Sequence, residues 1–277
     1  MNSAVRMPAV AGRFYPRLAD DLRRDVRRYM QTDTAANGQD CRPLAAIGCV
    51  APHAGYMYSG HVAGAVYSRL DIPKHCVILC PNHTGMGDPL ATMTRSPWLT
   101  PFGQAAADTQ LGAALLEAFP VLHEDASAHR AEHAIEVHLP FLQDRQPELR
   151  FVPIAIGTSD LDLLQALGDA LAKVVVAQPE RTLIIASSDM NHYESDAITR
   201  IKDAKAIERV LALDPRGLWE VVTTEDISMC GFGPAIVMLT AAKRLGAASA
   251  KLVKYATSGD ISGDRQQVVG YAGIIVN

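Results

Sequence analysis

Residues 44–56 read Leu-Ala-Ala-Ile-Gly-Cys-Val-Ala-Pro-His-Ala-Gly-Tyr, a short apolar run that breaks into a turn carrying a histidine. The run at 44–50 lacks polar alternation, which predicts a strand buried on both faces. The same pattern recurs further along. A run at 76–80 leads into Pro81-Asn-His83-Thr-Gly85, and one at 181–186 leads into Ser187-Ser-Asp189-Met-Asn-His192-Tyr193. Another strand is predicted at 150–156, and two more, 251–257 and 268–276, close the chain.

Helical patterns lie between these runs. They fall at 59–70 with Ser59 as N-cap, 109–119 with Asp108 as cap, 161–176, 197–213, 216–223 and 233–245. A helix at 20–30 precedes them, and 130–143 is expected to be helical in part, interrupted by Pro140. The segment 89–102 reads as a β excursion, and the polar stretch 31–43 as a linker too short to separate domains. Strands alternating with helices predict one α/β domain over residues 1–277, in three α/β/α layers around a mainly parallel sheet.

Composition excludes several classes. The chain has 277 residues, 48% hydrophobic and 20% charged, with a formal net charge of −4. That is too apolar for a disordered chain. It is also too acidic, and too free of basic blocks, for a general nucleic-acid binder. No run approaches about 18 uninterrupted apolar residues, so no membrane span is expected. The N-terminus does not read as a signal peptide. Five cysteines, an odd number with no C-x-x-C, fit free thiols in a reducing compartment. A cytoplasmic location is the expectation.

In open α/β sheets, ligands bind beyond the carboxyl ends of the parallel strands. Three predicted strands each deliver a histidine there: His53, His83 and His192. If the strands are neighbours, the imidazoles converge on a metal or acid/base site. The alternative is three unrelated surface histidines. Cys230, in Ser228-Met-Cys-Gly-Phe-Gly-Pro234, sits just ahead of a predicted helix N-terminus. That position is expected to lower a thiol pKa and favour the metal-binding thiolate. Cys49, Cys76 and Cys80 lie within apolar strands and read as inert core residues. The segment 129–138 carries His129, Glu132, His133, Glu136 and His138. His129 and His133 have the spacing of a helical metal pair, and the segment reads equally well as one solvated helix face. P-loop, dinucleotide-binding and nucleophile-elbow motifs are absent.

Taken together and in this order, APHAGY (51–56), PNHTG (81–85), EHAIEVHLPF (132–141), SSDMNHY (187–193) and MCGFGP (229–234) resemble the Memo family. PAVAGRFYP (8–16) also looks like that family's opening. The resemblance spans essentially the whole chain. It implies a fold similar to class III extradiol ring-cleavage dioxygenases, in which two histidines and a carboxylate hold Fe(II) and another histidine moves protons. By motif, His53 and His83 match the metal histidines, and His192 matches the acid/base histidine with Asp189 beside it. Cys230 falls at the third ligand position, and His133 is expected to line the same pocket. Tyr56 and Tyr193 are expected to contact an aromatic substrate or simply to pack.

A thiolate is softer than a carboxylate and opens the site to Cu or Zn as well as Fe. A divalent metal, Fe(II) first, is the implied cofactor. A small-molecule substrate or a peptide in the pocket is the implied ligand. The bacterial and archaeal family members further imply radical SAM and AMMECR-type system components as partners. Three readings follow: a metal-dependent, dioxygenase-like oxidoreductase; a non-catalytic module binding a peptide, anion or partner protein in the same pocket; and a redox or metal-handling protein built on Cys230.

Overall fold

A computed structural model describes residues 5–31 and 43–277. Most of the expected linker at 31–43, with Cys41, lies outside the described residues. The strands are β1 (Gly48–Ala51), β2 (His75–Pro81), β3 (Leu90–Thr92), β4 (Trp98–Thr100), β5 (Gly103–Ala107), β6 (His123–Glu124), β7 (Arg150–Ile156), β8 (Thr182–Ser187), β9 (His192–Glu194), β10 (Ala250–Thr257) and β11 (Val268–Val276). The sheet runs β10-β11-β1-β8-β2-β7-β3-β6. Its centre, β1-β8-β2-β7, is parallel. The closing strands β11 and β10 add antiparallel at one edge, and β3 pairs antiparallel with β7 at the other.

The uninterrupted apolar runs are explained by burial on both faces. Val50, Val77, Leu79, Ile184 and Ala186 enter one core with the helices Leu161–Val176 and Phe232–Arg244. Their sequence neighbours Cys49, Ala51, Cys76, Ile78, Cys80, Leu183 and Ile185 enter the other. There they meet the helices Ala19–Gln31, Tyr56–Tyr67 and Leu139–Arg145. Alternate side chains of one strand therefore feed opposite layers, which makes the three-layer α/β/α architecture. Cys49, Cys76 and Cys80 are fully buried in the second core. Among the described residues, no helix is long and apolar enough to cross a membrane.

Two local expectations are corrected. The second helix begins at Tyr56, and Gly55 is its N-cap residue. Ser59 lies inside that helix and donates its hydroxyl to the Ala54 carbonyl (2.9 Å). Pro140 interrupts nothing, because it occupies the first turn of Leu139–Arg145, where a missing N–H is harmless. Elsewhere Asp108 caps its helix by accepting from the Leu111 amide, as its position suggested.

Candidate metal centre

The order β1-β8-β2 makes the three histidine-bearing strands adjacent and parallel. His53 follows β1, His83 follows β2, and His192 opens β9 just beyond β8. The turn at 131–135 adds His133. Ring centroids are 5.1 Å apart for His53 and His83, 5.6 Å for His53 and His133, and 4.9 Å for His83 and His133. One nitrogen from each of these three rings lies within 4.8 Å of the others, a spacing that fits a shared metal ion. Cys230 Sγ stands beside the set, 3.2 Å from His53 Nε2.

Buried hydrogen bonds decide which nitrogen each ring presents. Ser187 Oγ touches the Ala134 carbonyl (3.0 Å), His53 Nδ1 (2.8 Å) and His138 Nε2 (2.7 Å). A hydroxyl has one proton and a carbonyl only accepts, so that proton goes to Ala134 and both imidazoles donate to the serine. His138 Nδ1 then accepts from the Tyr67 hydroxyl (2.9 Å), which closes the chain consistently. Burial holds His138 down to about 3, so it is neutral and carries the single N–H this arrangement requires. With Nδ1 protonated, His53 offers a bare Nε2. Desolvation first, then the neighbouring imidazoles, push its pKa well below the ordinary value. His83 is set the same way, since its Nδ1 donates to Glu132 Oε1 (2.9 Å), an acceptor-only carboxylate. Desolvation opposes protonation of His83, but Glu132 prevails and raises its pKa. An imidazole tied to a carboxylate or hydroxyl through one nitrogen and open at the other is the usual state of a metal-binding histidine.

Glu132 is fully buried, and it also accepts from the His83, His133 and Ala134 amides. Glu136, equally buried, pairs with Arg6 and accepts from the Ala9 and Val10 amides and the Tyr15 hydroxyl. The segment 129–138 is therefore not a solvated helix face. It is the internal scaffold of the site: Glu132 holds two histidines, Glu136 pins the N-terminal segment, and His138 orients His53 through Ser187. His129 is buried separately against the Ala91 carbonyl, so it forms no helical metal pair with His133.

On the other wall, His192 Nδ1 donates to the Ser228 carbonyl (2.8 Å), so in the neutral ring Nε2 carries no proton. Desolvation lowers its pKa, which keeps it a neutral base at neutral pH. Asp189, expected beside His192 in the same loop, has its Oδ1 accepting from the His53 amide (2.8 Å). Burial raises Asp189 to about 7. The expected thiolate at Cys230 is also reversed, because desolvation and the nearby Asp189 raise the thiol well above its ordinary pKa. Being just ahead of a helix N-terminus does not offset that burial.

These groups face a cavity of about 710 Å³ lined by Arg13, Phe14, His53, Tyr58, His83, His133, Asp189, His192, Tyr193, Ser228, Cys230 and Tyr271, among others. That size suits a small organic ligand. Tyr193 lines it, and Tyr56 does not. Tyr56 is buried and donates its hydroxyl to the Val137 carbonyl (2.7 Å). The sequence reading missed Arg13, Phe14, Tyr58 and Tyr271. None lies in a histidine-bearing turn, and Tyr271 sits within β11.

Fold and site together define an α/β protein with an imidazole-rich candidate metal centre at the carboxyl ends of parallel strands. A family model described as "Memo-like protein" matches residues 6–275. A MEMO1 family protein of Methanopyrus kandleri is 43% identical over 277 residues, covering 98% of each chain. Another, from Methanosarcina mazei, is 41% identical over 273 residues, covering 98% of this chain and 99% of its own. The chain belongs to the Memo family. In fold it is similar to the crystal structure of an uncharacterized protein, JW3007, from Escherichia coli K12. The TM-score is 0.55 at 12% identity, over 81% of this chain and 98% of that one. That likeness shows a shared fold, and the α/β/α layers around a mainly parallel sheet are those the alternating pattern predicted.

Proposed function

We propose that the protein is a metal-dependent oxidoreductase of the dioxygenase-like type, acting on a small molecule held in the cavity. One observation carries this reading: three imidazole nitrogens within 4.8 Å of one another, in the same cavity as a separate neutral histidine whose Nε2 carries no proton. The donor set fits a divalent metal, because two of the rings already have their far nitrogens occupied by buried acceptors; Fe(II) comes first only because the family resemblance implies it. His53, His83 and His133 would hold it, with Cys230 Sγ available beside His53. Once bound, the metal would act as a Lewis acid and redox centre toward substrate and dioxygen.

The chain's own groups do the rest. His192 Nε2 takes a proton from a substrate hydroxyl and later returns it, while the Ser228 carbonyl fixes the ring's direction. Asp189 anchors the His53 backbone from the floor of the site. Phe14 packs edge-on against His133, with centroids 4.8 Å apart, and helps keep water from that side.

The test is elemental analysis after purification without oxygen, followed by oxygen-uptake assays on a panel of catechols. Wild type and His192→Ala should carry near-stoichiometric metal, and the His53→Ala, His83→Ala double variant should carry none. His192→Ala should cut turnover by about 10²–10⁴-fold. A wild-type protein that takes up no metal, even on anaerobic Fe(II) reconstitution, sinks the reading. Copper lost in Cys230→Ser would favour metal handling over oxygen chemistry.

A further inference from the structure

We propose that the cavity selects small aromatic carboxylates, with the ring held among Phe14, Tyr58, Tyr193 and Tyr271 and the carboxylate on Arg13. The proposal rests on the cavity being the ligand site of the preceding section, but not on metal binding or turnover there.

The lining side chains include one carboxyl, Asp189, and its Oδ1 is engaged by the His53 amide. His83 is balanced by Glu132 behind it. Arg13 is different, because it is an exposed residue on the cavity wall and forms no ion pair among the described residues. An unopposed arginine on a cavity wall favours an anion, and its planar fork matches a carboxylate.

Arg13 is also held in place. The backbone at 9–15 is anchored by Glu136, which accepts from the Ala9 and Val10 amides and the Tyr15 hydroxyl. Gly12 has φ 82°, a left-handed turn that suits glycine. The turn is closed by the bond from the Arg13 amide to the Val10 carbonyl (2.9 Å). The Tyr56 amide donates to the Phe14 carbonyl (2.7 Å), tying the turn to the start of the second helix. The base of Arg13 is thus presented at little further cost in backbone entropy.

The rest of the wall is aromatic. Tyr193 holds a left-handed backbone, φ 61°, a conformation that L side chains rarely adopt. Its side chain is 71% exposed yet lines the cavity. The irregularity where β9 pairs β11 makes Tyr193 the extra residue, which accounts for that backbone and leaves its side chain on the cavity wall rather than in the sheet. Faces and edges of four aromatic side chains suit a planar ring better than a flexible aliphatic chain.

The test uses 4-hydroxybenzoate and its uncharged isostere 4-hydroxybenzamide, titrated calorimetrically into the protein as purified and after chelation. The carboxylate should bind about tenfold or more tightly than the amide in both preparations. Arg13→Ala should abolish that preference, and Arg13→Lys should restore part of it. Tyr193→Ala should weaken both probes alike. Equal affinity for the two probes, binding of neither, or a preference that survives Arg13→Ala would overturn the proposal. A preference seen in chelated protein that never binds metal would uphold it while removing the oxidoreductase reading.

Discussion

Replacing Glu132 by glutamine tests the idea that this buried carboxylate organises the metal centre. Oε1 accepts from His83 Nδ1 and from the His133 and Ala134 amides, each at 2.9 Å, and Oε2 accepts from the His83 amide at 2.7 Å. Glutamine keeps one oxygen, which serves the three donors at Oε1. Its NH₂ then faces the His83 N–H, donor against donor. Three charge-assisted bonds become neutral ones and lose about half their strength, and one buried N–H is stranded at about 1–3 kcal/mol. Relief of the buried charge's own desolvation offsets part of this. The expected net loss is about 3 kcal/mol in metal-free protein. For a chain this size that lowers the melting temperature by about 6 °C. Metal affinity should fall about 10–100-fold, because His83 loses the acceptor that fixes its ring. Chemical denaturation and metal titration of both proteins measure the two effects. A midpoint within about 0.5 kcal/mol of wild type, with metal affinity within about threefold, would refute the scaffold role.

Two further outcomes follow from other buried groups. Asp203 accepts from the Asn191 amide and the Tyr255 hydroxyl, and burial raises it to about 7. Because its folded pKa exceeds its unfolded one, its stability contribution is full below about pH 4 and is lost as pH rises toward 7. Wild type should therefore lose stability relative to Asp203→Asn across that window, by up to about 1.4 kcal/mol per pH unit, and parallel denaturation curves would contradict this. At Gly231 an added Cβ would lie 2.2 Å from the Ser187 carbonyl oxygen and 2.4 Å from Ser188 Cβ. Gly231→Ala should cost about 1–3 kcal/mol and move Cys230 away from His53, raising its alkylation rate; wild-type melting with wild-type alkylation would show the approach is not tight.

Much of the fold was legible. The apolar runs at β2, β7 and β8 are short, unbroken and followed by turns, and residues buried on both faces leave that signature. The helix Leu161–Val176 matches its expected span because Asp160 caps it and its apolar stripe is regular. The segment 129–138 was not legible, because acids and histidines at mixed spacing look the same on a wet surface and inside a hydrogen-bonded core. Glu132, Glu136 and His138 are all fully buried there. Cys230 shows the opposite failure: its local sequence pointed to an acidic thiol, and the surroundings that raise its pKa come from distant residues.

By itself the sequence determined the alternation of strands and helices and placed His53, His83 and His192 just beyond strand ends, because those features are written in local patterns of hydrophobicity and turn residues. Only the tertiary structure decided that β1, β8 and β2 are neighbours, that His133 joins His53 and His83, that Tyr58 rather than Tyr56 faces the cavity, and that Ser187 and Glu132 fix which nitrogens are presented. Strand order, burial and hydrogen-bond partnership arise between segments far apart in the chain, and no local pattern encodes them.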